Sequence, residues 1–184
     1  MGRFVNMHNA PSGAFIGTRV EALQALMSQV KVTSILCLDG SYVQKYCSNN
    51  GLKFETVNLK DREKAMGFLK SLKVDLCLSA GFPWIIDEET LGATKAIKLN
   101  SHPSMLPNFP GKDAIRDALR AGSKTIGVTV HRMSAEVDAG PIIFQEEIFI
   151  HGMNLSEIYN SVFGLLEPRV IDTALRRINQ EMFN

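Results

Sequence analysis

The segment LNSHPSMLPNFPG, Leu99–Gly111, decides how the rest of the chain is read. Three prolines mark it as a loop, yet it begins as the end of an apolar run, AIKL, with the character of a buried strand. Side chains alternate faces along a strand, so Asn100 and His102 share one side while Ser101 points to the other. Pro103 has no N–H to give to a sheet and stops the pairing directly after the histidine. An amide and an imidazole are thereby left together at the lip of a sheet.

Working outward, the pattern alternates strands with helices. Before the segment, RFVNMHN (Arg3–Asn9) reads as a short first strand, and APSGAFIGT (Ala10–Thr18) as a Gly/Pro-containing loop. RVEALQALMSQV then carries Val20, Leu23, Leu26 and Met27 at helical spacing. KVTSILCLD, KFETVN and VDLCLSAG read as strands, separated by helices through SYVQKYCSNNG and DREKAMGFLKSLK. After the segment come a helix in KDAIRDALRAG, strands in TIGVTVHRM and PIIFQEEIFI, and a long C-terminal helix with an irregularity expected at Pro168. Alternation of this kind predicts a single α/β domain over residues 1–184, with a mainly parallel twisted sheet and helices on both faces. In such sheets ligands lie beyond the carboxyl ends of the strands. AGFPWII, NSHPS and HRMSAEVDAGP all fall on that rim.

Bulk properties narrow the partners. The 184 residues carry a net charge of +1, so no global field recruits nucleic acid or a membrane surface. The apolar run VDLCLSAGFPWII is shorter than a membrane span and is interrupted by Asp75 and Pro83. FVNMHNAPSG, after Arg3, is too polar for a secretory segment. Cys37, Cys47 and Cys77 form no CxxC pair, and Cys37 and Cys77 sit in apolar runs as small hydrophobes. A reducing cytoplasm is the expected compartment. His8 and His151 have no metal-site pattern around them, so no metal is expected. LRRINQ reads as the exposed, cationic end of the last helix.

Asp138, in EVDAGP, completes a chemically useful set with Asn100 and His102 if its strand lies beside theirs. An amide, an imidazole and a carboxylate around one cleft suit acyl transfer to an amine. The first two can donate to the oxygen on which charge develops. The carboxylate can orient the imidazole and help move the proton that the amine loses. By spacing alone a strand-end histidine in an N-x-H pattern is more often structural, and both readings stay open at this point.

The motifs go further than the spacing. NSHPSMLPNFPG followed by GVTVHRMSAEVDAGPIIFQ resembles the folate-dependent formyltransferase family, with LQAL and SAGF matching in order. The resemblance is dense from about Asp75 to Gln145 and covers nearly the whole chain. It is strongest to the branch acting on glycinamide ribonucleotide in purine biosynthesis. It implies transfer of a formyl group from 10-formyltetrahydrofolate to a small-molecule primary amine. A nucleotide-linked amino sugar as acceptor, and hydrolysis of the formyl group by water, are the alternatives. The methionyl-tRNA branch is disfavoured by the near-neutral charge and by the absence of room for an RNA-binding domain.

Carried over position by position, the resemblance assigns the chemistry to Asn100, His102 and Asp138. Phe82, Trp84, Ile85 and Ile86 would flank the flat pterin ring, and backbone near Trp84, Ile86, Met133 and Ala135 would read its polar edge. Glu167 matches an acidic residue that contacts the acceptor, whereas His131 is assigned to structure or loop support rather than to the chemical step. The branch holds its phosphate on a Gly-rich turn ending in Ser-Asn. Here the place reads APSGAFIGTRVEALQAL, a longer loop by this reading and one without Ser-Asn, in which Gly13, Gly17 and Arg19 are the expected anion contacts.

Overall fold

The side chains of the rim are positioned by a seven-stranded sheet in a computed structural model that describes residues 10–183. Its strands are β1 (Ser12–Gly17), β2 (Lys31–Leu38), β3 (Glu55–Val57), β4 (Leu76–Ala80), β5 (Ile97–His102), β6 (Thr125–Arg132) and β7 (Ile142–Phe149). The order is β3-β2-β1-β4-β5-β6-β7. The first five run parallel, whereas β5–β6 and β6–β7 are antiparallel. The α/β class and the mainly parallel sheet agree with the sequence pattern. Strand order reverses between β1 and β4, and a crevice opens at such a switch point.

The strands bury both faces by alternation. In β1, Phe15 packs with α1 (Val20–Met27), α2 (Tyr42–Asn49) and the C-terminal helix, while Ala14 and Ile16 face α3 (Arg62–Lys70). In β4, Leu76, Leu78 and Ala80 join the first core and Cys77 the second. Ser41 and Asp61 cap α2 and α3 by accepting from Gln44 N–H and Lys64 N–H. A short helix that the periodicity did not announce, α4 (Glu88–Gly92), starts where Asp87 accepts from Thr90 N–H at 2.8 Å.

One sequence expectation is corrected. Ala10–Thr18 is not a connecting loop, because it contains β1, the strand between β2 and β4. Its glycines belong to packing: a Cβ on Gly13 would lie 2.3 Å from Val30 Cγ1, and one on Gly17 would lie 2.0 Å from the Ala80 carbonyl oxygen. The strand expected over Arg3–Asn9 lies outside the described residues.

The C-terminal helix is also not continuous. After α5 (Ala114–Arg120) and the last strands, α6 (Leu155–Tyr159) passes into a π-helical segment, Asn160–Leu166, and then into α7 (Glu167–Phe183). Pro168 has no N–H for the carbonyl one turn earlier, and the wider turn falls just before it. Glu167 is the first residue after that turn. Among the described residues no helix is long and apolar enough to cross a membrane, and the three cysteines are free and buried.

Candidate active site

Antiparallel pairing of β5 with β6 sets Asn100 opposite His131 and His102 opposite Thr129. The loop leaving β6 then turns back over β5. Gly140 closes its base, since a Cβ there would lie 1.8 Å from the Arg132 carbonyl oxygen, and Arg132 N–H donates to Pro141. Asp138 sits on this loop with φ 52°, a left-handed conformation that aspartate tolerates better than most residues. The neighbouring strands thus bring the carboxylate to the imidazole, as the sequence required.

Asp138 is the hub of the cluster. Its Oδ2 lies 3.2 Å from His102 Nδ1 and accepts from Gly111 N–H at 2.8 Å. Its Oδ1 lies 3.5 Å from His131 Nε2 and 3.4 Å from Asn100 Nδ2. Burial raises the Asp138 pKa, but the His131 ring, the Gly111 N–H and the His102 ring outweigh it and hold the carboxyl below its usual range. Burial is also the largest influence on His102, which is 4% exposed, and draws its pKa below the ordinary histidine value. The Phe109 carbonyl and Asp138 pull the other way without reversing it.

The resting pair is therefore a carboxylate beside a neutral imidazole. His102 Nε2 lies 2.9 Å from the Phe109 carbonyl oxygen, which can only accept. A neutral ring has one N–H and satisfies one of its two oxygen neighbours, whereas an imidazolium satisfies both. Phe109 adopts φ 54°, unusual for a bulky residue, to present that carbonyl. The cluster is a buried base whose protonated form already has two acceptors waiting.

Asn100, His102 and Asp138 line the middle of a cleft of about 370 Å³. One arm is apolar: Phe82 and Trp84 stand edge to face with ring centroids 5.1 Å apart, Ile85 is 61% exposed, and Ile86 and Met133 close the wall. Accessible aromatic and aliphatic groups beside the polar centre fit a flat heterocycle better than solvent. Ala135 does not line this arm; its place is taken by Ser134 and Val137, which the sequence reading passed over. Ala135 is exposed at the outside of the same loop.

The other arm contradicts the expected anion loop. Gly13 and Gly17 are locked inside the sheet and do not line the cleft. Only Thr18 and Arg19 separate β1 from α1, so the connection is short rather than long. It is also pinned, because Thr18 N–H donates to the Ala80 carbonyl at 3.0 Å. Arg19 does line the cleft, and its Nη1 donates to Glu167 Oε1 at 2.5 Å. Glu167 is fully buried and also accepts from Ser101 Oγ at 2.6 Å, on the side of β5 opposite Asn100. It stands behind the cleft wall rather than in it.

His131 supports the structure of the site. It is 2% exposed, its Nδ1 donates to the Arg132 carbonyl at 2.9 Å, and its Nε2 lies 3.3 Å from Asn100 Nδ2. The register of β6 against β5 is the signal that would have found it. Among the described residues no cluster of His, Cys, Asp and Glu has a metal-holding arrangement.

Comparison with known proteins matches this architecture. The chain is 37% identical over 118 residues to a methionyl-tRNA formyltransferase of Thermotoga neapolitana, covering 64% of this chain but only 34% of that protein. It is 36% identical over 110 residues to the phosphoribosylglycinamide formyltransferase of Bacillus subtilis, covering 60% of this chain and 56% of that one. Among solved structures, a glycinamide ribonucleotide transformylase of Geobacillus kaustophilus superposes with a TM-score of 0.78 at 27% identity, over 92% of this chain and 99% of the other. The sequence profile described as Formyl transferase matches residues 36–175, well over half of the chain. With this sheet, this cleft and that match, the chain belongs to the formyl transferase family.

Proposed function

We propose that this chain transfers the formyl group of 10-formyltetrahydrofolate to a primary amine, with Asn100, His102 and Asp138 as its catalytic residues. The observation that carries the reading is the bridged Asp138–His102 pair beside an apolar arm open to a flat ring. In the reaction a new C–N bond forms to the amine as the formyl carbon leaves the folate nitrogen. The attacking amine loses a proton and the departing nitrogen gains one. Asp138 and His102 move that proton, and the imidazolium is stabilised by Asp138 and the Phe109 carbonyl.

Asn100 stabilises the negative charge on the formyl oxygen by hydrogen bonding, together with the positive charge of the His102 imidazolium. Its amide contacts of 3.3 and 3.4 Å are long, and it gives them up for the stronger bond to an oxyanion. His131 and Asp138 hold the amide close to that position. Phe82, Trp84, Ile85, Ile86 and Met133 would hold the folate ring by its faces. Backbone beside them and beside Ser134 reads the ring's polar edge.

Glycinamide ribonucleotide is the first acceptor to try, followed by a nucleotide-linked amino sugar. Purified protein given 10-formyltetrahydrofolate should produce an N-formyl amine, read by mass, with one or more of them. Formate released at the same rate with or without amine would favour hydrolysis. No consumption of the folate under any condition would remove the proposal.

A further inference from the structure

The short β1–α1 connection removes a backbone loop from the acceptor arm and puts a single side chain in its place. Arg19 is braced on two sides. Behind it, Glu167 Oε1 accepts from Nη1, with Ser101 holding the same oxygen from β5. Above it, the guanidinium carbon lies 4.1 Å from the centroid of the Phe163 ring. Phe163 belongs to the π-helical segment, whose wider turn delivers it and Glu167 to the same arginine. Gly81 leaves the room: a Cβ there would lie 3.4 Å from Arg19 Nε and 2.6 Å from Thr18 Oγ1.

The guanidinium makes no other hydrogen bond among the described residues, although it carries five N–H donors. Its charge is opposed by Glu167, but the two ends are not equivalent. The negative end is fully buried behind the wall, whereas the Arg19 side chain is 19% exposed and lines the cleft. The cleft therefore meets the positive end of a fixed dipole, in a fork suited to two oxygens of one anion. Lys112 is a second cation on the lining.

We propose that Arg19 is the specificity-determining residue for the acceptor, selecting amines that carry an oxyanion, carboxylate or phosphate, next to the reacting nitrogen. Glu167, Ser101 and Phe163 are its positioning residues, and Glu167 does not itself touch the acceptor. Only the chemical step after binding rests on the formyl-transfer reading. The selection itself is a binding property that can be measured without turnover.

The test uses two matched pairs of probes, glycine with glycinamide and O-phosphoethanolamine with ethanolamine, titrated calorimetrically into the full chain with folic acid present. The anionic member of one or both pairs should bind about tenfold or more tightly than its partner. The pair with the larger ratio shows whether carboxylate or phosphate is the preferred oxyanion. Arg19→Met should bring that ratio to within about twofold, and Phe163→Leu should reduce it partway. Because Arg19→Met strands the buried Glu167 charge, the double variant Arg19→Met/Glu167→Gln is measured beside it, with a thermal melt as the folding control. Equal binding within both wild-type pairs, or a ratio that survives in a folded variant without Arg19, overturns the inference. A preference for the anionic probes without formylation of any amine would instead count against formyl transfer and leave Arg19 standing.

Discussion

Two strand ends face each other across the cleft, and they were written in the sequence in opposite ways. Leu99–Gly111 reads as a strand end running into a proline-rich loop and is one, with its prolines ending the pairing behind Asn100 and His102. Ala10–Thr18 looks like a loop and contains β1, a strand with five consecutive buried residues. Both are rich in glycine or proline. In the first they shape the chain for chemistry at a rim; in the second the glycines let two backbones approach until no Cβ fits. Glycine for a turn and glycine for close packing look alike in one sequence, and only the neighbour, here Ala80 or Val30, tells them apart.

The contrast can be broken from either side. The largest effect is expected at the β5 end. His102→Asn removes the base and the imidazolium charge and should lower formyl transfer by about 10³-fold. Quenching of Trp84, the single tryptophan, should report unchanged folate binding. A fall of less than tenfold would return His102 to a structural role.

At the β1 end the same logic predicts loss of stability rather than of chemistry. Gly17 has φ 149° and faces the Ala80 carbonyl, so Gly17→Ala should cost about 3 kcal/mol in a denaturant titration. A Gly17→Ala protein as stable as wild type would mean that this position is a tolerant loop after all.

The smallest effect sharpens the electrostatic side. His102 has its folded pKa below the ordinary 6.5, so its contribution to stability is complete above that pH and is lost as pH falls through the folded value. The slope should fall in that window and flatten in His102→Asn. Asp138, His131 and Arg19 are the charged or titratable groups acting on the ring. Asp138, also depressed, contributes in the same direction below 3.8. Stability that rises on acidification through the histidine window would contradict the burial of His102.

Legibility in the sequence divides along the same line. The alternation of apolar strands and helices is a statement about burial, and it recovered β2 to β7 directly. The rim motifs demand particular side chains at fixed places, so Asn100, His102, Asp138 and the Phe82–Met133 wall could be located before any geometry was known. Of the second arm, Arg19 and Glu167 were named from the motifs, but their pairing was not, because it is built by packing across the sheet. Arg19 meets Glu167 and Phe163 from the far end of the chain, and the π-helical turn that brings them has no motif beyond Pro168. The partners of His131 were not legible because they are set by register. Ala135 was overrated because a loop residue near a site does not have to face it.

If the two linked motifs make one centre for moving a formyl group, a single turnover should reveal it. The experiment supplies 10-formyltetrahydrofolate labelled in the formyl carbon and compares wild type with Asp138→Asn in the presence of the best amine. Wild type should place the label on the amine nitrogen, and Asp138→Asn should slow that transfer by about 10³-fold while still binding the folate. Label transferred by Asp138→Asn at the wild-type rate would show that the centre lies elsewhere.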